Sequence, residues 1–203
     1  NYVGLINKAT DAGYKVIIVI AGTISSLRRQ TQERIDSGYI GRNSSAFIRE
    51  NENKIIGVGK YKAKTDIYSL TSSYYKSGDE GDFSQSVANR LNTPIGKNPV
   101  VFVIKKNKSI LENLIDWFSK DVNAKVVDGS PKLFDVPVLV IDDEADAASV
   151  NASKSIDDIK TINRLIRTLL NLFNQNTFIG YTATPYANLF ISQEHNEEAT
   201  TIV

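Results

Sequence analysis

The residues best equipped for chemistry stand in one string, Val138-Leu-Val-Ile-Asp-Asp-Glu-Ala-Asp146. An apolar run leads into Asp142, Asp143, Glu144 and Asp146. Ligands of open parallel sheets sit at the carboxyl ends of the strands, so a strand that empties into acids places carboxylates there, desolvated by the sheet behind them. Such a cluster is costly unless a cation neutralises it. Oxygen ligands suit magnesium, which keeps several waters and shares its shell with substrate phosphates. The glutamate is then placed to orient or deprotonate a water attacking a γ-phosphate. The plainer alternative is a solvated acidic turn, and the full Asp-Glu-x-Asp pattern after an apolar strand weighs against it.

A second string, Thr177-Phe-Ile-Gly-Tyr-Thr-Ala-Thr-Pro185, follows after one helical stretch. Its short strand ends in Thr182 and Thr184, and Pro185 forbids regular continuation. Hydroxyls at a strand end beside the acids can hydrogen-bond them and relay the state of a nucleotide. Alone, the string reads as an ordinary strand exit.

A third region joins Ala21-Gly-Thr23 to Leu27-Arg-Arg-Gln-Thr-Gln-Glu-Arg34. A strand end, a Gly-Thr turn and a basic helix start can receive phosphate oxygens. Gly22, Thr23 and Arg28 are the candidate phosphate contacts, and Thr71 and Ser72 offer hydroxyls to the same groove. The alternative is a solvated helix face with Arg28 and Arg34 paired to Glu33 or Asp36. Lys60, Lys62 and Lys64, with Tyr61, Tyr68, Tyr74 and Tyr75 nearby, and the cluster Lys105, Lys106 and Lys108, read as solvated edges rather than a strand-binding platform.

The elements that must position these groups follow from periodicity. Residues 16–21, 67–70, 100–104, 138–141 and 178–181 are short Val/Ile-rich runs, mostly unalternating, as expected of parallel strands buried on both faces. Helical spacing appears in the stretch before Gly13, in 27–35 with Ser25 or Ser26 as cap, in 109–122 and in 159–173. Strands alternating with helices predict an α/β fold, a doubly wound and mainly parallel sheet with helices on both faces. Residues 42–64 and 77–86 read as polar surface excursions, and residues 1–203 as a single domain.

Composition closes other routes. The chain has 203 residues, 24 basic and 23 acidic, so its net charge of +1 gives no global sign of a nucleic-acid partner. It has no cysteine, which removes thiolate catalysis and Cys-based metal sites, and its one histidine is His195. The longest apolar run is too short to cross a bilayer. The opening residues carry no signal-peptide pattern, so a cytoplasmic location without membrane association is expected. They read instead as the inside of a helix, and the chain is expected to be part of a longer protein.

The acidic and Thr-Ala-Thr strings resemble motifs II and III of superfamily-two helicases. Asp143-Glu144-Ala145-Asp146 matches the Asp-Glu-Ala-Asp box and Thr182-Ala183-Thr184 the Ser/Thr-Ala-Thr motif. More narrowly, the chain resembles the Z-one endonuclease-domain family. The resemblance rests also on Gly4-Leu-Ile-Asn-Lys-Ala9, Ile20-Ala-Gly-Thr23, residues 27–35 and Gly180-Tyr-Thr-Ala-Thr-Pro-Tyr-Ala-Asn188, and spans nearly the whole chain. It implies a RecA-like lobe in which Asp143 helps hold Mg2+, Glu144 is the general base, and Asp146, Thr182 and Thr184 couple ATP hydrolysis to movement. By position the 21–34 region resembles motif Ia, which touches nucleic acid. To Asp142 the resemblance assigns no role.

One part is missing from the pattern. No Gly-x-x-x-x-Gly-Lys-Ser/Thr loop occurs, and Gly57-Val-Gly-Lys60 is only a look-alike with no strand before it. The resemblance puts that loop immediately before Asn1, and it implies a second RecA-like lobe that closes over ATP. The chain alone is then expected to hydrolyse negligibly. Three readings follow: the first lobe of a DNA-dependent ATPase in a restriction-like system, with nuclease or methyltransferase partners; a metal-dependent endonuclease centre on Asp142, Asp143, Glu144 and Asp146 that uses no ATP; or a degenerate module that only binds DNA or protein.

Overall fold

The computed structural model describes residues 2–61, 66–76, 80–133, 135–143 and 156–181. Its centre is a five-stranded sheet in the order β2-β3-β1-β6-β7, with every pair parallel. The strands are β1 (Val16–Ala21), β2 (Tyr68–Ser69), β3 (Val100–Ile104), β6 (Val138–Asp143) and β7 (Asn176–Tyr181). All residues of β1 and β3 are buried. Their unalternating Val and Ile therefore need cover on both faces, which parallel sheets obtain from crossover helices.

The cover comes in two sets. Beneath one face lie α4 (Gln85–Leu91), α5 (Lys108–Ser119) and α6 (Ile156–Asn171). They pack Ala88, Leu111, Leu114, Phe118, Ile162, Ile166 and Leu169 against Val16, Ile18, Phe102 and Val140. The other face takes Tyr2, Ile6 and Ala9 of α1 (Tyr2–Asp11), Ile35 of α2 (Ser25–Ile35), and Tyr39 and Ile40 of the π turn that extends α2. Leu111, Leu114 and Phe118 recur at the three- and four-residue spacing of one helical face. Asn107 opens α5 by accepting the Ile110 N–H on its side chain. The fold is the doubly wound α/β arrangement expected from the sequence.

Several local expectations need correction. Within the excursions lie α3 (Ser44–Glu50) and the start of α4, both helices of seven residues, too short for clear periodicity. A hairpin of β4 (Ala124–Val127) and β5 (Ser130–Leu133) forms on an Asp128-Gly129 turn with both residues at positive φ. At α2 neither serine caps; Ile24 is the N-cap, with no side-chain hydrogen bond. Among the described residues no helix is long and apolar enough to cross a membrane.

Candidate functional site

At the carboxyl end of β6, Asp142 lies opposite Ile20 and Gly180, and Asp143 opposite Ala21 and Tyr181. Successive strand residues point to opposite faces. Asp142 thus shares the face of Val138 and Val140, over α5 and α6, while Asp143 shares that of Leu139 and Ile141, over α1 and α2. The two carboxylates diverge.

Their surroundings differ as much as their directions. Asp142 is buried, and its Oδ2 accepts a hydrogen bond from Lys106 Nζ at 2.8 Å. Lys106 is equally enclosed, at 4 % exposure, although its cluster reads as a solvated edge in the sequence. It follows β3, and β1 lies between β3 and β6, so the bridge crosses about 10 Å of sheet. The Lys106 backbone N–H donates to the Gly22 carbonyl at 2.6 Å. Asp143 is half-buried. Burial raises its pKa above the ordinary aspartate value, and the positive charge of Arg34 on α2 pulls it partly back. Glu144, Asp146, Thr182 and Thr184 lie outside the described residues.

The start of α1 belongs to the same corner. The Tyr2 ring meets Tyr181 edge-on, with centroids 6.1 Å apart, so α1 opens at the carboxyl end of β7 on the face of Asp143. Its first turn contains no acidic residue. Beyond β7, no strand pairs with the outer edge among the described residues. The residues of β7 alternate between exposed and half-buried, and Phe178 is 44 % exposed.

The candidate nucleic-acid contacts separate into two groups. Buried Gly22, at φ 66, and half-buried Thr23 form the exit turn of β1, with exposed Ile24 beside them. A left-handed φ of that kind suits glycine. Arg28, Thr71 and Ser72 do not face outward. Arg28 is fully enclosed, its Nη1 donating to the Val103 carbonyl at 3.1 Å and its Nη2 to the Ser72 carbonyl at 2.7 Å. Thr71 Oγ1 donates to Gln32 Oε1 and accepts from the Val103 N–H. The Ser72 N–H is held by the Gly81 carbonyl, and its Oγ accepts from the Tyr74 N–H. A Cβ on Gly81 would lie 2.2 Å from the Ser72 carbonyl, so this close approach requires glycine. The physical reason for the correction is that α2 buries the polar residues Arg28, Thr31 and Gln32 beside Ile35, and Arg28 satisfies backbone carbonyls at the exits of β2 and β3.

That face continues to Asp36, whose carboxylate accepts from Gln32 Nε2 and from the Ser44 N–H and hydroxyl. Burial outweighs these donors and pushes its pKa up to about 6. The groups left outward here are others. Arg29 lies over the half-exposed Tyr75 ring at 5.5 Å, and Arg49 over Tyr74 at 3.5 Å. A cavity of about 370 Å³ lies between α3, α4 and the β2 exit, lined among others by Arg49, Thr71, Ser72, Glu80, Asp82 and Arg90. Gly57 and Gly59 serve packing: a Cβ at either would lie 1.9 Å from the carbonyls of Ser37 and Gly41 respectively.

The main residue missed by the sequence reading is Lys106. Its signal was position, since Lys105-Lys106 follows an apolar strand directly, at the edge where ligands gather. Comparison of the chain with protein-family models, with characterised proteins and with solved structures returned no match.

Proposed function

We propose that this chain is the first motor lobe of a DNA-dependent, helicase-type ATPase, acting in the cytoplasm within a restriction-like endonuclease or defence system. The reading rests on one juxtaposition: α1 opens at the carboxyl edge on the face of Asp143, next to the outer edge of β7, with which no strand among the described residues pairs. A strand running beside β7 and turning into α1 would carry a phosphate-binding loop to that corner, where helix amides and a carboxylate face one space.

In this reading the ATP phosphates lie between the start of α1 and Asp143. The half-buried Asp143 carboxyl, desolvated and at the strand end, fits a magnesium ion, which typically takes one or two protein carboxylates. When bound, the ion neutralises charge developing on the phosphates. Glu144 holds the attacking water and accepts its proton. Asp146, Thr182 and Thr184 pass the state of the nucleotide on, and the second RecA-like lobe completes the site. Gly22 and Thr23 receive the DNA backbone, and Arg29 replaces Arg28 in that contact.

A two-metal nuclease centre draws less support from the same geometry. Asp142 and Asp143 diverge to opposite faces, and Asp142 already has an ammonium partner.

ATP hydrolysis by the longer protein, with and without DNA, tests the reading. Stimulated activity is expected, and Glu144→Gln should lower it by about 100-fold or more, the usual contribution of a positioned base. A folded protein that hydrolyses no ATP under either condition, but cleaves DNA with metal alone, would sink the motor and favour the nuclease.

A further inference from the structure

We propose that Lys106 is a positioning residue that couples the DNA contact at the β1 exit to the acidic end of β6. The inference rests on the motor reading and deepens it. Lys106 bonds to both regions: its backbone N–H donates to the Gly22 carbonyl, and its ammonium donates to the Asp142 carboxylate. From the end of β3 that ammonium reaches past β1 to β6.

The two arms differ in a useful way. A shift of the Gly22–Thr23 turn moves the Lys106 backbone, and the side chain carries that movement to Asp142. Asp142 is joined covalently to Asp143, the proposed magnesium ligand. Movement at the acidic end would travel back by the same path. The pair is enclosed on both sides, with side chains 4 % and 5 % exposed, so solvent does not screen it. Neighbouring groups anchor the turn: Lys105 Nζ donates to Ser25 Oγ, and the Lys105 N–H to Asp82 Oδ2. The bridge also neutralises Asp142, which leaves Asp143 as the strand-end carboxylate directed to the α1 side.

Substitution of Lys106 cuts the side-chain arm and leaves the backbone arm to Gly22 in place. The test is the ratio of duplex-DNA Kd values measured with and without a non-hydrolysable ATP analogue, in the full-length protein. Coupling between two sites is reciprocal and commonly changes affinity by about fivefold or more. The wild type should show such a ratio. Lys106→Met should bring it close to unity, and Lys106→Arg, which keeps the charge, should recover part of it. Because Lys106→Met strands a buried carboxylate, the double variant Lys106→Met/Asp142→Leu serves where the single one does not fold. Either variant should still bind the analogue and DNA separately.

A folded variant that keeps the wild-type ratio would overturn the inference and leave the motor reading intact. A wild type that binds both ligands with no coupling also overturns it. A wild type that binds no ATP analogue removes the motor reading, and the inference with it.

Discussion

The two edges of the sheet solve the same problem in opposite ways. At the β2 edge the paired strand stops after Tyr68 and Ser69, yet the ladder on β3 continues. Leu70 N–H reaches the Val101 carbonyl, and then side chains take over: Thr71 Oγ1 accepts the Val103 N–H, and Arg28 Nη1 serves the Val103 carbonyl. Side-chain atoms thus stand where the next strand residue would have been. At the other edge β7 is paired along six residues with β6, but its far side has no strand among the described residues, and one of its faces is exposed while the other is half-buried. An open edge is a template for another strand. The contrast teaches that one edge is finished by this chain's own residues, while the other is suited to extension.

Breaking the finished edge should have the largest effect. Arg28→Leu removes the donors to two buried carbonyls, each orphaned at about 1–3 kcal/mol, so urea unfolding should show a loss of about 4 kcal/mol. Arg29→Ala, one residue along and half exposed, should stay within roughly 0.5 kcal/mol. Equal costs for the two would mean that Arg28 is not the closure described.

Asp36, at the far end of the same polar face, gives a pH-dependent test. Its pKa is raised from 3.8 to about 6, so the folded state holds the proton more tightly than the unfolded chain. For this group, stability is greatest below the unfolded value, falls as pH rises toward the folded value, and is flat above it. The full difference amounts to at most about 3 kcal/mol. In Asp36→Asn the fall between pH 3.8 and about pH 6 should shrink relative to wild type. An unchanged pH profile would show that the carboxyl titrates normally.

A smaller loss is expected from Thr71→Val, which preserves shape but leaves the Val103 N–H without its acceptor and Gln32 Oε1 without its donor. Unfolding should report about 2 kcal/mol, and amide exchange at Val103 should accelerate. Normal protection there would mean another acceptor closes the ladder.

These polar residues mark the limit of what sequence patterns reveal. The strands over 16–21 and 100–104 were legible to the residue because buried parallel strands need unbroken apolar runs on both faces. The face of α2 was not. Arg28, Thr31, Gln32 and Ile35 have the spacing of a buried helical face, but hydropathy cannot separate a polar face turned inward from one turned to water. For Lys106 the position after an apolar strand was visible, but its pairing was not, since its partner Asp142 is 36 residues away in the chain. The hairpin's Asp128-Gly129 turn was a usable signal that the weak apolarity of the flanking strands concealed. Within the acidic string, sequence placed Asp142 and Asp143 together, and only the strand's alternation separates them.

The smallest effect tests the open edge. Phe178 sits on β7 opposite Val140, 44 % exposed, whereas Phe102 on β3 is fully buried. Phe102→Ala should cost about 3–5 kcal/mol, the range for a buried phenylalanine. Phe178→Ala in the present chain should cost about 1 kcal/mol, because much of the ring is already in water. In a longer protein whose added strand pairs with β7, that strand and its helices would cover the ring. The same substitution should then approach the cost at Phe102. The comparison is therefore made twice, once in each length of chain, and the increase in cost is the measured quantity. A Phe178→Ala cost that stays near 1 kcal/mol in the longer protein would mean that β7 remains an outer strand. The phosphate loop would then have to reach α1 by another path, and the juxtaposition behind the motor reading would lose its structural basis.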